Sequence, residues 1–385
     1  MISDKKLIYR GSVKDIYQYN EHLLFDFSDR YSIFDWGEMP DLIDGKGAAL
    51  KSMGECFFYY LESEKSWKKL ENFTELIEFL KNNPEAKPLY SSLRERGLKT
   101  HWVGDSKLFK DHSSSLEVKK VNVLSPKRND SGYDYSEYKN DQLVDCLVPL
   151  EVLFRFGVPK GSSFLRRAKD LEYCHELGLS GQKIEEGTRF QSPIIEFSTK
   201  LEPLDRVLQY EEAKDISGLN DSEFAELCTL TKLIAFNLKH LFSKMEIELW
   251  DGKFEFSFIK KADGTRGFQL VDSIGPDELR LMFQNIPLSK EVLRQAYKKS
   301  NWYSCFNEQK EKLASKNIKD WQKEFHNLGL EGPHKLDSEF IKLISEMYQY
   351  LSQGIQGIVF DNLTEHQDIA LVAKTIEKNL RDFDE

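Results

Sequence analysis

The stretch that most constrains this chain is residues 247–261, IELWDGKFEFSFIKK, followed beyond the turn Ala262-Asp263-Gly264 by GFQLVDSI. Two runs rich in aromatic and branched residues, joined by a glycine-containing turn, form a β-hairpin. Asp251, Lys253 and Glu255 alternate along the first run, so a strand presents all three on one face. Trp250, Phe254 and Phe256 fall on the other face. Three charges on a strand flanked by aromatics are unusual for a solvated surface, and an exposed hairpin is the competing explanation. Asp272 lies on the returning strand, with Pro276-Asp277 and Arg280 beyond it. Carboxylates on adjacent strands with a lysine between them suit Mg²⁺ held on nucleotide phosphates. These residues alone point to a metal–nucleotide site.

The rest of the chain bounds the setting of that hairpin. A length of 385 residues allows two or three domains, and 40% hydrophobic with 12% aromatic content supplies a core. The net charge is −10, which argues against general nucleic-acid binding, since that needs a basic face. A locally basic pocket for a small anion is still compatible. No run of about 18 apolar residues predicts a membrane span, and the opening MISDKKLIYRGS lacks the apolar core of a secretory signal. Cys56, Cys146, Cys174, Cys228 and Cys305 are scattered and never form CxxC, which fits a reducing, cytoplasmic setting and offers no metal framework.

Along the chain, the first hundred residues read as short β-like runs and turns, LIYRGSVKDIYQY and HLLFDFSD among them. GKGAALKSMGECFFYYLES then reads as a helix, with Leu50, Met53, Phe57 and Leu61 as its core stripe. Residues 126–142 are polar, with Gly132 and three tyrosines, and predict a surface loop or insertion. FAELCTLTKLIAFNLKHLFSKM is a long amphipathic helix. After Pro287 the chain reads as helices: SKEVLRQAYKKSNWY, capped by Ser289, then IKDWQKEFHNLGL and DSEFIKLISEMYQYLSQG.

Three further clusters carry possible chemistry. In YRGSVKDIY, Gly11 lets backbone approach a ligand and Lys14 can meet a phosphate. A plain hairpin turn accounts for it more simply. In DRYSIFD and DGKG, the run Gly45-Lys46-Gly47 precedes a helix and could bind an anion, although a turn and cap explain the glycines equally well. In VPLEVLFR, Glu151 and Arg155 share a strand face, and Gly161-Ser162 follow. An arginine with adjacent N–H and hydroxyl donors is what a phosphomonoester needs. The plain alternative is a Glu151–Arg155 ion pair on the strand.

In this order, the four clusters resemble the SAICAR synthetase (phosphoribosylaminoimidazole-succinocarboxamide synthase) family. YRGSVKDIY is similar to its nucleotide loop, DRYSIFD and DGKG to its next segment, and Thr100-His101-Trp102 to its THF-like element. VPLEVLFR with KGS, DGKFEFS and DSIGPDELR resemble its three strongest motifs, and PIIEFSTKLEPLD the segment with Lys200 and Asp205. The resemblance spans roughly residues 7–295. The chain departs from it at Ser12, where the family has lysine, at Ser273 and Gly275, at Ser257, and in a longer Arg155-to-Gly161 spacing with Lys160.

The resemblance implies an α+β fold. An N-terminal antiparallel lobe over 1–105 would be followed by an ATP-grasp-like catalytic domain over 106–288 and a helical region over 289–385. It implies a cytoplasmic, ATP- and Mg²⁺-dependent ligase that joins L-aspartate to the carboxylate of carboxyaminoimidazole ribonucleotide (CAIR). Gly11, Ser12, Lys14, Lys200, Glu255 and Asp272 would hold ATP, with Glu255 and Asp272 also on Mg²⁺. Asp35, Lys46, Gly47, Arg155, Gly161, Ser162, Asp277 and Arg280 would bind substrate, and Asp251 and Lys253 would act at the reacting end. The implied partners are these small molecules, with no nucleic acid and no membrane. Two alternatives stand beside this reading: a paralogous ligase acting on another carboxylate or amine, and a non-catalytic nucleotide-binding protein.

Overall fold

A computed structural model describes residues 5–104, 114–130, 132–203, 205–313, 318, 320–361 and 367–382. The fold is α+β. Strands β1 (Lys6–Arg10), β2 (Lys14–Tyr19), β3 (His22–Phe27) and β4 (Ser115–Lys119) form an antiparallel four-stranded sheet in that order. β4 lies beyond residue 105, so this sheet is completed by a strand from past the first boundary drawn from sequence. The polar stretch after it holds a short hairpin, β5 (Lys127–Asn129) with β6 (Gly132–Asp134). Its strands are largely exposed, yet Tyr135 and Tyr138 are buried, so two of the three tyrosines anchor the insertion.

The larger sheet is built from β7 (Leu150–Gly157), β8 (Arg189–Thr199), β9 (Val207–Leu208), β10 (Glu248–Lys260), β11 (Arg266–Val271), β12 (Leu279–Phe283) and β13 (Ile286–Pro287). Its order is β13-β12-β10-β7-β8-β9, with β11 pairing the far half of β10. β10 is the hairpin strand seen in the sequence, and its length lets it pair β7 and β12 at one end and β11 at the other. Phe254 and Phe256 turn into the core, where Phe254 stacks on Phe154 of β7 at 4.8 Å between ring centroids. Asp251, Lys253 and Glu255 face away from that core, as the alternation requires.

Residues 28–104 do not continue as strands. The helix Lys46–Glu62 is followed by helices Glu64–Lys68, Thr74–Asn82 and Lys87–Arg96. Trp67, Leu76, Phe79 and Leu93 are buried, but each of the last three helices is ten residues or shorter, so its apolar stripe is short and interrupted by lysines and glutamates. The helix Asp221–Ser243 begins with a reciprocal Asn220–Glu223 capping box and packs on the larger sheet. Beyond β13 come helices Glu291–Lys298, Asn301–Lys312, Trp321–Asn327, Ser338–Val359 and Gln367–Asp382. Ser300 accepts from Tyr303 N and starts a new helix, which breaks the single run expected over 289–303. Ser289 Oγ accepts from Glu291 N at 3.4 Å, but Lys290 and not Ser289 holds the N-cap position of that helix.

The C-terminal helices are not an appendage. Trp302 and Phe306 stack at 5.3 Å, and Trp36 meets both of them and Phe325 edge-on, which ties Trp36 to the helices. The helix Ser338–Val359 lies along Lys46–Glu62, and one continuous apolar core runs from Phe25 to Ile376. Among the described residues no helix is long and apolar enough to cross a membrane.

Candidate functional site

One cavity opens where the two sheets meet, and a second lies beside it against the larger sheet. The larger, about 510 Å³, has apolar walls from Ile16, Leu23, Phe25, Val121, Leu147 and Val271. Gly11, Ser12, Lys14, Lys200, Glu255 and Asp272 edge it. The smaller, about 320 Å³, is polar and lined by Glu151, Arg155, Ser162, Asp205, Asp251, Lys253, Asp277, Arg280, Lys290 and Arg294 among others. Twelve of the sixteen site residues singled out from sequence therefore reach one cavity or the other.

A lattice of alternating charge separates the two spaces. Lys253 donates to Glu151; Glu151 also accepts from Lys200 at 3.3 Å; Lys200 donates to Glu255 at 2.6 Å. Across the larger cavity, Lys14 donates to Asp272 while its Nζ sits 4.4 Å over the Phe25 ring. These charges set each other's protonation. Burial, then the Asp272 charge, pushes Glu255 up to about 7 against the pull of Lys200 and Lys253. Burial opposes ionisation of Asp272 too, but Lys14 and Lys200 overcome it and hold that carboxyl low. Burial likewise works against the Lys200 ammonium, and Glu255, Asp272 and Glu151 reverse the effect and raise it.

The donor set suits Mg²⁺. Among the described residues no group of three His, Cys, Asp or Glu could hold a metal ion alone. Two carboxylates beside a cavity, with nucleotide phosphates completing the shell, is the Mg²⁺ pattern rather than that of an all-protein metal cage. Burial raises Glu255 first and the Asp272 charge adds to it, a repulsion that a divalent cation would relieve.

Four expected contacts do not line either cavity. Lys46 is fully buried; its ammonium lies 3.1 Å from Asp277 Oδ2 and donates to the Arg30 carbonyl at 3.3 Å. It holds Asp277 from behind, so it is corrected from a substrate contact to a support. Gly47 is a packing glycine: a Cβ there would come within 2.4 Å of the Phe27 carbonyl oxygen. Asp35 is exposed and accepts from Lys310 Nζ at 3.0 Å. Gly161, at φ +70°, makes the turn that delivers Ser162.

Arg155 reaches the smaller cavity but does not pair with Glu151. It stands cross-strand from Asp251 in the β7–β10 register, and its guanidinium clamps two carboxylates, Glu196 through Nε and Asp251 through Nη1 at 2.7 Å. Glu196 also accepts from Arg167 Nη2 at 2.6 Å and from Tyr173. Arg280 Nη1 lies 3.4 Å from the same Asp251 oxygen. Asp277 accepts from Tyr348 on the C-terminal helix at 2.7 Å; burial would raise it, but Lys46, Lys290 and Tyr348 bring it down to about 2. Glu151, Glu196, Lys290, Arg294, Glu278 and Tyr348 were not chosen from sequence. Glu196 on β8 and Lys200 just past its end stand four apart, as do Glu151 and Arg155 along β7 and Lys290 and Arg294, so periodicity marked part of the set.

A largely apolar cavity beside a polar one, parted by lysines and carboxylates in an α+β fold, suits an ATP-dependent ligase. The chain belongs to the SAICAR synthetase family, whose family model matches residues 7–309. It is 33% identical over 382 residues to a protein of Archaeoglobus fulgidus that carries the provisional name phosphoribosylaminoimidazole-succinocarboxamide synthase, covering 95% of this chain and 99% of that one. A synthase of that name from Thermoplasma acidophilum is 27% identical over 365 residues, 91% of this chain and 99% of the relative. Among solved structures, SAICAR synthase from Saccharomyces cerevisiae superposes with a TM-score of 0.55 at 20% identity, over 92% of this chain and 95% of the other, which supports the fold.

Proposed function

We propose that the protein joins L-aspartate to the carboxylate of CAIR, with ATP converted to ADP and phosphate, and that it works in the cytoplasm. The observation that carries this reading is the shared wall: Lys200 and Glu255 edge the larger cavity, Glu151 and Lys253 the smaller, and all four are linked by ion pairs. A phosphoryl group crossing from one cavity to the other passes that wall.

A carboxylate is a poor acyl donor because oxide is a poor leaving group. A CAIR carboxylate oxygen attacks the γ-phosphorus, the bond to ADP breaks, and an acyl phosphate results. The aspartate amine then attacks the acyl carbon, phosphate departs with that oxygen, and the amine sheds a proton as the amide forms. Neither step needs a nucleophile from the protein, so positioning and charge neutralisation do the work. The apolar walls around Ile16 and Phe25 take the nucleotide base, and Lys14 and Lys200 meet its phosphates. Arg280, Ser162, Lys290 and Arg294 meet the ribonucleotide phosphate. Asp251 and Lys253 order the reacting end, with Arg155 holding Asp251 in place. Glu255 and Asp272 would hold Mg²⁺, which when bound neutralises charge on the nucleotide phosphates.

ADP release with each substrate omitted in turn tests this. ATP, CAIR and aspartate together give steady release, and omission of CAIR abolishes it. Omission of aspartate leaves at most one equivalent per active site. Steady release without CAIR, or none with the full set, would overturn the assignment.

A further inference from the structure

Thr100-His101-Trp102 has no part in the chemistry above, yet it is bound into both sheets. Thr100 bridges Leu270 of β11 in parallel, with Leu270 N donating to Lys99 O at 3.0 Å and His101 N to Leu270 O at 3.1 Å. On the other side Lys119 N donates to His101 O at 2.6 Å, and Trp102 bridges Val118 of β4. The segment is thus a strap between the N-terminal sheet, which carries Lys14, and the larger sheet, where Asp272 stands one residue past the end of β11 instead of on the returning strand itself.

From this strap the His101 ring is buried between Phe25 and Phe58, edge-on to each at 5.7 and 5.6 Å between centroids. Its Nε2 lies 2.9 Å from the Asp272 carbonyl oxygen, so with an acceptor opposite it that nitrogen must be the donor. Asp272 has φ +65°, a left-handed conformation that aspartate reaches more readily than most non-glycine residues and that the hydrogen bond to its carbonyl holds in place. Lys14, which pairs with the Asp272 carboxylate, rests on the same Phe25 ring that packs against His101.

We propose that His101 is a positioning residue: its N–H to the Asp272 carbonyl fixes the left-handed turn that aims the Asp272 carboxylate at the nucleotide's metal ion. This rests on the reading of Asp272 as a Mg²⁺ ligand. Rotation of Asp272 out of the left-handed well would swing its carboxylate away from Lys14 and the cavity. His101 also borders the larger cavity, but this bond reaches the metal only through Asp272.

The test measures ADP affinity calorimetrically, in excess Mg²⁺ and in EDTA, for four variants beside a thermal melt. His101→Phe keeps the ring between Phe25 and Phe58 and loses the donor. His101→Gln carries an amide N–H where Nε2 stood, and His101→Asn carries one where Nδ1 stood. His101→Phe and His101→Asn are expected to bind Mg²⁺–ADP about ten-fold more weakly, to bind ADP in EDTA as the unmodified protein does, and to need more Mg²⁺ for half-maximal ligation. His101→Gln recovers most of the loss. A purely structural histidine would instead lower melting temperature in all three with equal losses in Mg²⁺ and in EDTA, and that result overturns the proposal. So does full Mg²⁺–ADP affinity in His101→Phe. If His101→Phe fails to fold, the contrast between His101→Gln and His101→Asn decides. Asp272→Asn separates the two layers: if it leaves Mg²⁺ dependence unchanged, the metal reading itself fails, and the role of His101 with it.

Discussion

Replacing Arg155 with lysine probes the most heavily committed side chain of the site. The guanidinium is buried and holds Glu196 through one nitrogen and Asp251 through another. A lysine has a single ammonium on a longer stem and cannot reproduce that fork. Glu196 keeps Arg167 and Tyr173 after the change, so the loss falls on Asp251, whose next nearest cation is Arg280 at 3.4 Å. A hydrogen bond between charged groups contributes about 1.5–3 kcal/mol, and one is lost. In a chain this long each kcal/mol moves the melting temperature by about 2 °C or less, so the expected fall is about 2–5 °C.

The functional consequence travels through Asp251. Released from Arg155, that carboxylate drifts within the smaller cavity, and CAIR affinity falls while ATP affinity does not. Urea unfolding and calorimetric titration of CAIR, run on Arg155→Lys, Asp251→Asn and the double variant, read both effects. If the pair is coupled as the distances indicate, the double variant loses less than the sum of the two singles, by about 0.5–3 kcal/mol. An Arg155→Lys protein with an unchanged urea midpoint and ten-fold weaker CAIR binding would refute this reasoning. It would mean that the guanidinium serves the ligand phosphate instead of the two carboxylates.

Three further outcomes are expected. Glu255→Gln is nearly isosteric and keeps the fold, but it removes a charge from the metal pair; ADP release should drop to a small fraction, and near-normal activity at limiting Mg²⁺ would sink the assignment. Lys14→Ala should raise KM for ATP and leave that for aspartate unchanged, because Lys14 edges only the larger cavity of the two, as steady-state kinetics with each substrate varied will show. Burial, with Asp277 and then Asp272, pushes Glu278 up to about 7. A carboxyl that holds its proton more tightly folded than unfolded adds stability that is full below the unfolded value near 4.5 and is lost as pH rises through about 7. Melts from pH 5 to 8 should therefore show Glu278→Gln gaining on the unmodified protein as pH rises, and parallel curves would contradict it.

Much of this site was legible in the sequence because β-strands are periodic. Alternation alone set Asp251, Lys253 and Glu255 on one face of β10 and Phe254 and Phe256 on the other, and the fold keeps that division. The helices between residues 64 and 96 were missed because their apolar stripes are short and interrupted. Gly47 was misread for a related reason: a glycine beside a helix start looks the same whether it admits a ligand or, as here, a neighbouring carbonyl.

Periodicity names the face of a residue but not its partner. Arg155 and Glu151 lie four apart on one strand, which made them the natural pair, yet the guanidinium bridges to strands on both sides, 41 and 96 residues away. Asp277 makes the same point more sharply. Its supports are Lys46, at the start of a helix packed behind the N-terminal sheet, and Tyr348, on a helix 71 residues further along the chain. Each lies in a segment whose own pattern indicates only a cap or a core stripe. A buried carboxylate must be matched by donors, so the requirement can be read from Asp277, but which donors meet it is fixed by the packing of the C-terminal helix against Lys46–Glu62. The helical region beyond β13 is therefore part of the site: without Tyr348 and the helix that carries it, the Lys46 ammonium and the Asp277 carboxylate would lose the packing that keeps water from the pair.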